Sequence, residues 1–315
     1  MFWQRARPFA FMYSLSSCWN SQRHIDGRAM LEEIRGLGFD YAELSHGIRI
    51  SLLPGIIDAV DNGVIKISSV HNFCPLPVGV ERAAPNIFQF SSDNRREREN
   101  AFRYTLKSIE TAARVKAPIV VLHMGSVDMK DYTDKLIDMI ADGKRDTPKF
   151  QKLCEEASRK REDKKERYVN AAYDMLEHII PEAEHAGVML GIENREALEE
   201  IPFEDDLDLF FRQFTSPAVR YWHDTGHAQI KENLGYIGHA MHLESFASRL
   251  AGLHVHDVEY PGRDHQMPGS GCVNFAALKP FVRPEHIKVF EFSPNLEAVQ
   301  VMAGVAHVKS LWGEE

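Results

Sequence analysis

Cysteine is scarce in this chain: there are four in 315 residues, at Cys18, Cys74, Cys154 and Cys272, and no two form a Cys-x-x-Cys pair. That excludes a zinc ribbon and a disulfide framework, and it fits a reducing compartment. Long apolar runs are missing too, since no window approaches the ~18 consecutive apolar residues of a membrane-spanning helix. The opening MFWQRARPFAFMYSLSS carries two arginines ahead of a short apolar run, but Tyr13 and Ser14 break it and no clean small-residue cleavage site follows. It reads as a first strand, and a cytoplasmic protein is expected. Positive charge is in deficit. Lys and Arg number 37 against 46 Asp and Glu, a net charge of −9, which disfavours electrostatic capture of nucleic acid or of an acidic membrane. Neither a Pro/Gly/Ser-rich linker nor a shift in composition divides the chain, so one domain over residues 1–315 is expected.

What the chain does have is a recurring pattern. Short apolar runs lie at 9–15, 41–44, 65–71, 118–124, 188–193, 219–224, 250–257 and 287–292, separated by longer charge-rich stretches. Continuous β-branched and aromatic runs suit strands buried on both faces, as in a parallel sheet crossed by helices. Eight such alternations predict an α/β fold of the (β/α)8 TIM barrel type. The stretches between agree: 27–38 places Met30, Leu31, Ile34 and Leu37 at helical spacing and ends on Gly38, and 170–187 ends on Gly187.

One connection is too long for a single crossover helix. It runs from Gly125 to Gly187 between the fourth and fifth runs, and a helical insertion is expected at about 128–169. Its middle mixes both signs of charge and reads as a solvated helix. Either a lid or partner-binding arm over the barrel mouth, or an elongated surface helix, fits that composition.

The runs share a second property. From the second onward, each ends at or next to a group that binds metal or moves protons: Glu43, His71, His123, Glu193, Asp224, His254 with Asp257, and Glu291. In a barrel the carboxyl ends of all strands meet at one mouth, so these groups converge although they are far apart in sequence. Fifteen histidines add to the supply of metal ligands. A carboxylate buried at the axis must find a cation, a hydrogen bond or its own proton. For Glu193 the ordinary partner is Arg195; Glu291 has fewer neighbours of that kind. Two carboxylates facing across the axis can flank an ion, and each can move a proton on its own side of a substrate. His254 and His256 alternate along one strand and share a face, so either is a possible ligand. Trp19, Phe73 and Trp222 are either a stacking wall for a sugar or core.

The order HMGS at 123–126, IEN at 192–194, HDTGHA at 223–228, HVHD at 254–257, DHQMPGSG at 264–271 and a final FEF resembles the xylose-isomerase-like barrel superfamily, which joins sugar isomerases and epimerases to three-zinc apurinic endonucleases. The resemblance spans about residues 40–292. In the epimerase branch it implies one divalent ion, Mn2+ by preference, held by Glu193, Asp224, His254 and Glu291, with Glu193 and Glu291 as the acid/base pair. Substrate hydroxyls then fall to His71, His123, His227, Arg263 and His265. In the endonuclease branch the same groups hold three zinc ions, with an aspartate two residues before the last histidine. Arg263 stands at that position here and Asp264 is displaced by one. Three carboxylates and one imidazole make an oxygen-rich site that suits Mn2+ or Mg2+, although Zn2+ or Co2+ can occupy it.

The expected function is therefore a metal-dependent sugar isomerase or epimerase acting on a ketose, keto-sugar or related polyol by proton transfer next to a carbonyl. The same machinery gives a dehydratase or lyase when a leaving group lies β to that carbon. A three-zinc phosphodiesterase and a non-catalytic sugar sensor are the alternatives. The expected partners are a small sugar or polyol and, by resemblance, further copies of the chain; no nucleic acid and no membrane are expected.

Overall fold

Runs of Ile, Val, Leu and aromatic residues can be buried on both faces only where neighbouring strands complete their hydrogen bonds and helices cover the outside. The computed structural model, which describes residues 12–80 and 86–313, does this by closing eight parallel strands into a barrel. The strands are β1 (Met12–Ser16), β2 (Tyr41–Leu44), β3 (Lys66–His71), β4 (Ile119–Leu122), β5 (Met189–Glu193), β6 (Val219–Asp224), β7 (Leu250–Val255) and β8 (Ile287–Phe290). Each pairs with its neighbour in sequence, and β1 closes the ring on β8 with Met12 opposite Ile287. All eight apolar runs became barrel strands; residues 9–11 of the first lie outside the described residues. Helices cover the outside, among them α1 (Gly27–Gly36), α2 (Leu53–Asp61) and α3 (Arg95–Val115).

Inside the barrel, Ile119, Val121, Trp222, Ile287 and Val289 form a packed plug below the mouth. Trp222 fits because its neighbour across the β6–β7 pairing is Gly252, where a β-carbon would overlap the indole ring. That tryptophan is core, lying beneath the site with its ring 5.2 Å from His254. Trp19 and Phe73 are buried as well, each 2% exposed.

The long connection holds three helices: α4 (Thr133–Ala141), α5 (Pro148–Glu162) and α6 (Lys165–Ala186). The last is the crossover helix and stops at Gly187, whose φ of 69° is left-handed. Of the first two, α5 is not merely solvated. Its Arg161 is 3% exposed, donates to the carbonyls of Leu198 and Glu200, and pairs with Asp206 at 2.7 Å. The insertion is thereby fastened to the loop that follows β5.

Candidate active site

Each strand that ends at the mouth delivers a polar side chain there, and barrel closure sets their spacing. Nδ1 of His254 at the end of β7 lies 2.6 Å from Oε1 of Glu193 at the end of β5, 3.1 Å from Oε2 of Glu291 just after β8, and 3.6 Å from Oδ2 of Asp224 at the end of β6. Three carboxylates thus converge on one nitrogen, with all four side chains buried. Like charges gathered this closely repel one another unless a cation lies among them. One ligand atom from each lies within 4.8 Å of the others, so the group fits a divalent ion. The donor set, three oxygens and one nitrogen, suits a hard or borderline cation. Burial pulls the His254 imidazole down, but Glu291, Glu43 and Glu193 outweigh it and hold the ring well above the usual histidine range. Burial likewise works to raise Glu193, and His123 and His254 overcome it, holding the carboxyl well below its ordinary range.

Glu43, at β2, is 3.1 Å from the other nitrogen of His254 and accepts from Ser69 Oγ at 2.7 Å, while its Oε1 is buried without a hydrogen-bond partner. Its place is behind the histidine, not among the groups that surround Nδ1. His256 plays the matching part for Asp224. The backbone N–H of His265 donates to its Nδ1, so the ring presents an Nε2–H to Oδ2 of Asp224 at 3.0 Å. His254 is accordingly the one of the alternating pair that faces the three carboxylates, and His256 is occupied in orienting one of them.

A ring of further histidines surrounds this centre. Nε2 of His123 is 2.6 Å from Oε2 of Glu193, with His71 stacked edge-on at 4.7 Å between ring centres. Burial, with His123 beside it, brings His71 down to about 4; burial, with Arg195 beside it, does the same for His123. Both rings are neutral at neutral pH. His227 sits in the first turn of α7 (Thr225–Leu234), where Asp224 caps the helix by accepting from its backbone N–H at 2.8 Å. The capping role of Asp224 and its role in the site are therefore held by different oxygens: Oδ1 takes the cap, and Oδ2 faces His254 and His256.

The segment after β7 differs from the sequence expectation. Arg263 is not brought to the mouth: its side chain is 72% exposed and pairs with Glu259 at 3.1 Å. His265 has a φ of 54°, a left-handed conformation that breaks strand alternation. Asp264 consequently joins Glu196 and His227 in one group, pairs with His265 at 2.9 Å, and lies on the site side of the loop. His265 stacks on His256 at 4.4 Å and approaches Glu291 at 3.8 Å. The guanidinium that does enter the mouth is Arg195, just after β5, with Nη1 at 2.7 Å from Glu193 and 2.8 Å from His123. The ion pair expected between Glu193 and Arg195 is thus present, but inside the site.

Two residues behind the mouth carried no distinctive signal. Asn194 accepts from the backbone N–H of Asp224 at 2.7 Å and donates to its carbonyl at 3.0 Å, locking the ends of β5 and β6 together. Its amide oxygen also accepts from Tyr221 at 3.1 Å, and that hydroxyl lies 2.8 Å from both His223 and His242. Asn194 was visible only as part of the IEN motif. Glu200, which grips Arg195, is seven residues past the strand and gave no sign of facing inward.

A family profile described as Xylose isomerase-like TIM barrel matches residues 31–297. No curated protein sequence matches the chain. Among solved structures, a D-tagatose 3-epimerase-like protein shares 16% identity at a TM-score of 0.69, covering 96% of this chain and 98% of its own. A 3-keto-D-glucoside 4-epimerase from E. coli shares 14% at 0.66, covering 95% and 99%. The IOLI protein, solved with a bound zinc atom, shares 13% at 0.65, covering 96% and 98%. At these identities the likeness is one of fold.

Proposed function

Because the chain belongs to the Xylose isomerase-like TIM barrel family, we propose that it is a divalent-metal-dependent sugar isomerase or epimerase acting next to a carbonyl of a ketose, keto-sugar or inosose. One observation carries this reading: Glu193 and Glu291 approach the same nitrogen of His254 from two strands, at 2.6 and 3.1 Å, with Asp224 beside them. Glu193, Asp224, His254 and Glu291 hold the ion, Mn2+ by preference with Zn2+, Co2+ or Mg2+ as substitutes. When bound, such an ion supplies Lewis-acid polarisation of a substrate carbonyl.

The chain's own groups do the rest. One of Glu193 and Glu291 takes the proton from the carbon beside the carbonyl, and the other returns a proton. Glu43 and His256 keep His254 and Asp224 oriented. His71, His123, His227 and His265 surround the centre and are the groups to bind substrate hydroxyls. The neighbours named as 3- and 4-epimerases support this class of reaction, and the zinc in the IOLI structure supports a metal. A cytoplasmic homo-oligomer is part of the same reading. No helix among the described residues is long and apolar enough to cross a membrane.

The test is proton exchange. Protein loaded with Mn2+ is incubated in heavy water with ketoses, 3-keto-sugars and inososes, and deuterium at the carbon beside the carbonyl is followed by NMR. Exchange that disappears in Glu193→Gln and Glu291→Gln supports the reading; exchange that survives either change refutes the two-carboxylate mechanism. A second reading, a multinuclear phosphodiesterase, is favoured by the groups His71, His123, Glu193 and Glu196, His227, Asp264. It requires about three ions per chain, which elemental analysis counts.

A further inference from the structure

The first of those groups of metal-capable side chains, His71, His123 and Glu193, already contains a positive charge. Nη1 of Arg195 lies 2.8 Å from Nε2 of His123 and 2.7 Å from Oε2 of Glu193, two atoms that are themselves 2.6 Å apart. An ion held by that group would need the same two atoms. Nη1 is also 3.4 Å from Nδ1 of His227, so it borders the Glu196, His227, Asp264 group as well. A guanidinium does not lose its proton in a protein, and this one is only 3% exposed.

The arginine is held, not loosely packed. Its Nε and Nη2 both donate to Oε1 of Glu200, at 3.1 and 3.0 Å. The Glu200 carboxylate also accepts from Asn86 at 2.9 Å, and its carbonyl accepts from Arg161 of α5 at 3.0 Å. Glu200 belongs to a short strand, Glu200–Ile201, that pairs with Gly125–Ser126, two residues beyond His123. The loops after β4 and β5 and the helical insertion therefore all act on one guanidinium. To admit an ion at His123 and Glu193, Arg195 would have to withdraw and leave Glu200 buried without its partner, which is costly.

Resting on the single-ion reading above, we propose that Arg195 is a resident cation in place of a second metal ion, and that it is this residue that makes the centre mononuclear. The arginine neutralises the outer oxygen of Glu193 and leaves the inner one to the group around His254. Removing it exposes two imidazoles and a carboxylate, a donor set that binds Zn2+ or Co2+.

The test counts ions. Wild type and the double variant Arg195→Met/Glu200→Gln, which removes the buried pair together, are stripped with chelator, reloaded with Co2+, desalted and assayed by elemental analysis and EPR. The expected result is one Co2+ per chain in the wild type and two in the variant, with a spin-coupled signal. Arg195→Lys, which keeps the charge, stays at one. Two or more ions in the wild type overturn the proposal, as does a single ion in a double variant whose circular dichroism and melting temperature match the wild type. Should the double variant not fold, Arg195→Gln in the otherwise native chain decides: a second Co2+ per folded chain supports the proposal, and a count that stays at one refutes it. A wild type that binds no ion sinks the metal-centre reading itself, and this proposal with it.

Discussion

Glu43 lies 3.1 Å from Nε2 of His254, on the side of the ring away from the three carboxylates that meet Nδ1, and Ser69 Oγ holds the same Glu43 oxygen at 2.7 Å. A carboxylate in that place fixes the tautomer so that Nε2 carries the proton and Nδ1 offers its lone pair to a metal. Glu43→Gln keeps the shape of the side chain but weakens that orientation. Mn2+ affinity should fall by about 10–100-fold, measured by chelator competition, with the melting temperature of the metal-stripped protein nearly unchanged. Unaltered affinity would show that Glu43 only fills the barrel.

The acid/base assignment rests on Glu193 and Glu291. Glu193→Gln and Glu291→Gln should each lower turnover by about 10²–10⁴-fold. Asp224→Asn should lose metal as well, because its Oδ2 faces His254 and His256. His265→Ala should leave the number of ions per chain at one, since this ring is 3.8 Å from Glu291 and pairs mainly with Asp264. Elemental analysis and steady-state kinetics on the four variants separate these outcomes.

Gly226 leaves room for a histidine. A β-carbon there would run into the ring of His256, which lies 3.0 Å from Asp224. Gly226→Ala should therefore destabilise the fold by about 1–3 kcal/mol and also weaken metal binding, because His256 must move away from Asp224. Urea denaturation and a metal titration read the two effects, and a loss of stability with unaltered affinity would mean that His256 orients nothing.

Stability should fall in acid through a cluster behind the mouth. His239, at the start of α8 (His239–Phe246), is buried; burial first, and His242 second, pull it down to about 3, so it is neutral in the folded protein. The unfolded chain takes up a proton near pH 6.5. Acid therefore favours unfolding: the contribution is complete above about pH 6.5 and is lost progressively as pH falls to about 3, at up to about 1.4 kcal/mol per unit. Urea midpoints between pH 7 and 4 should decline, and His239→Gln should flatten that decline. A parallel curve in the variant would assign the acid sensitivity to other groups.

The barrel was legible because its strands are apolar on both faces and short, and because helices such as α6 end at a glycine able to adopt a positive φ. The central four residues were legible for a related reason. Each sits at or next to the end of a strand, and parallel closure sends all such ends to one mouth, so strand counting put them in a wider set with Glu43, His71 and His123, and the family resemblance singled out Glu193, Asp224, His254 and Glu291 from 99 positions of chain. The packing of α5 was not legible. Its charges read as solvated, and only the docking of Arg161 onto Asp206 shows that one of them is buried.

What the sequence by itself determined is the alternation of strand and helix and the set of groups delivered to the mouth, because both follow from local pattern and strand topology. Which of two arginines enters that mouth was decided only by the tertiary structure. Arg263 stands where the family resemblance places a substrate-binding residue, yet it is Asp264 that groups with Glu196 and His227 while Arg263 reaches solvent. Arg195 lies just past a strand end, where an ion pair with its neighbour is the ordinary expectation. Its guanidinium is carried into the centre by Glu200, and Glu200 is placed there by pairing with Ser126 across 74 residues of chain. Such a contact depends on the closed barrel, because no local pattern records which side chains from distant loops will share one charge.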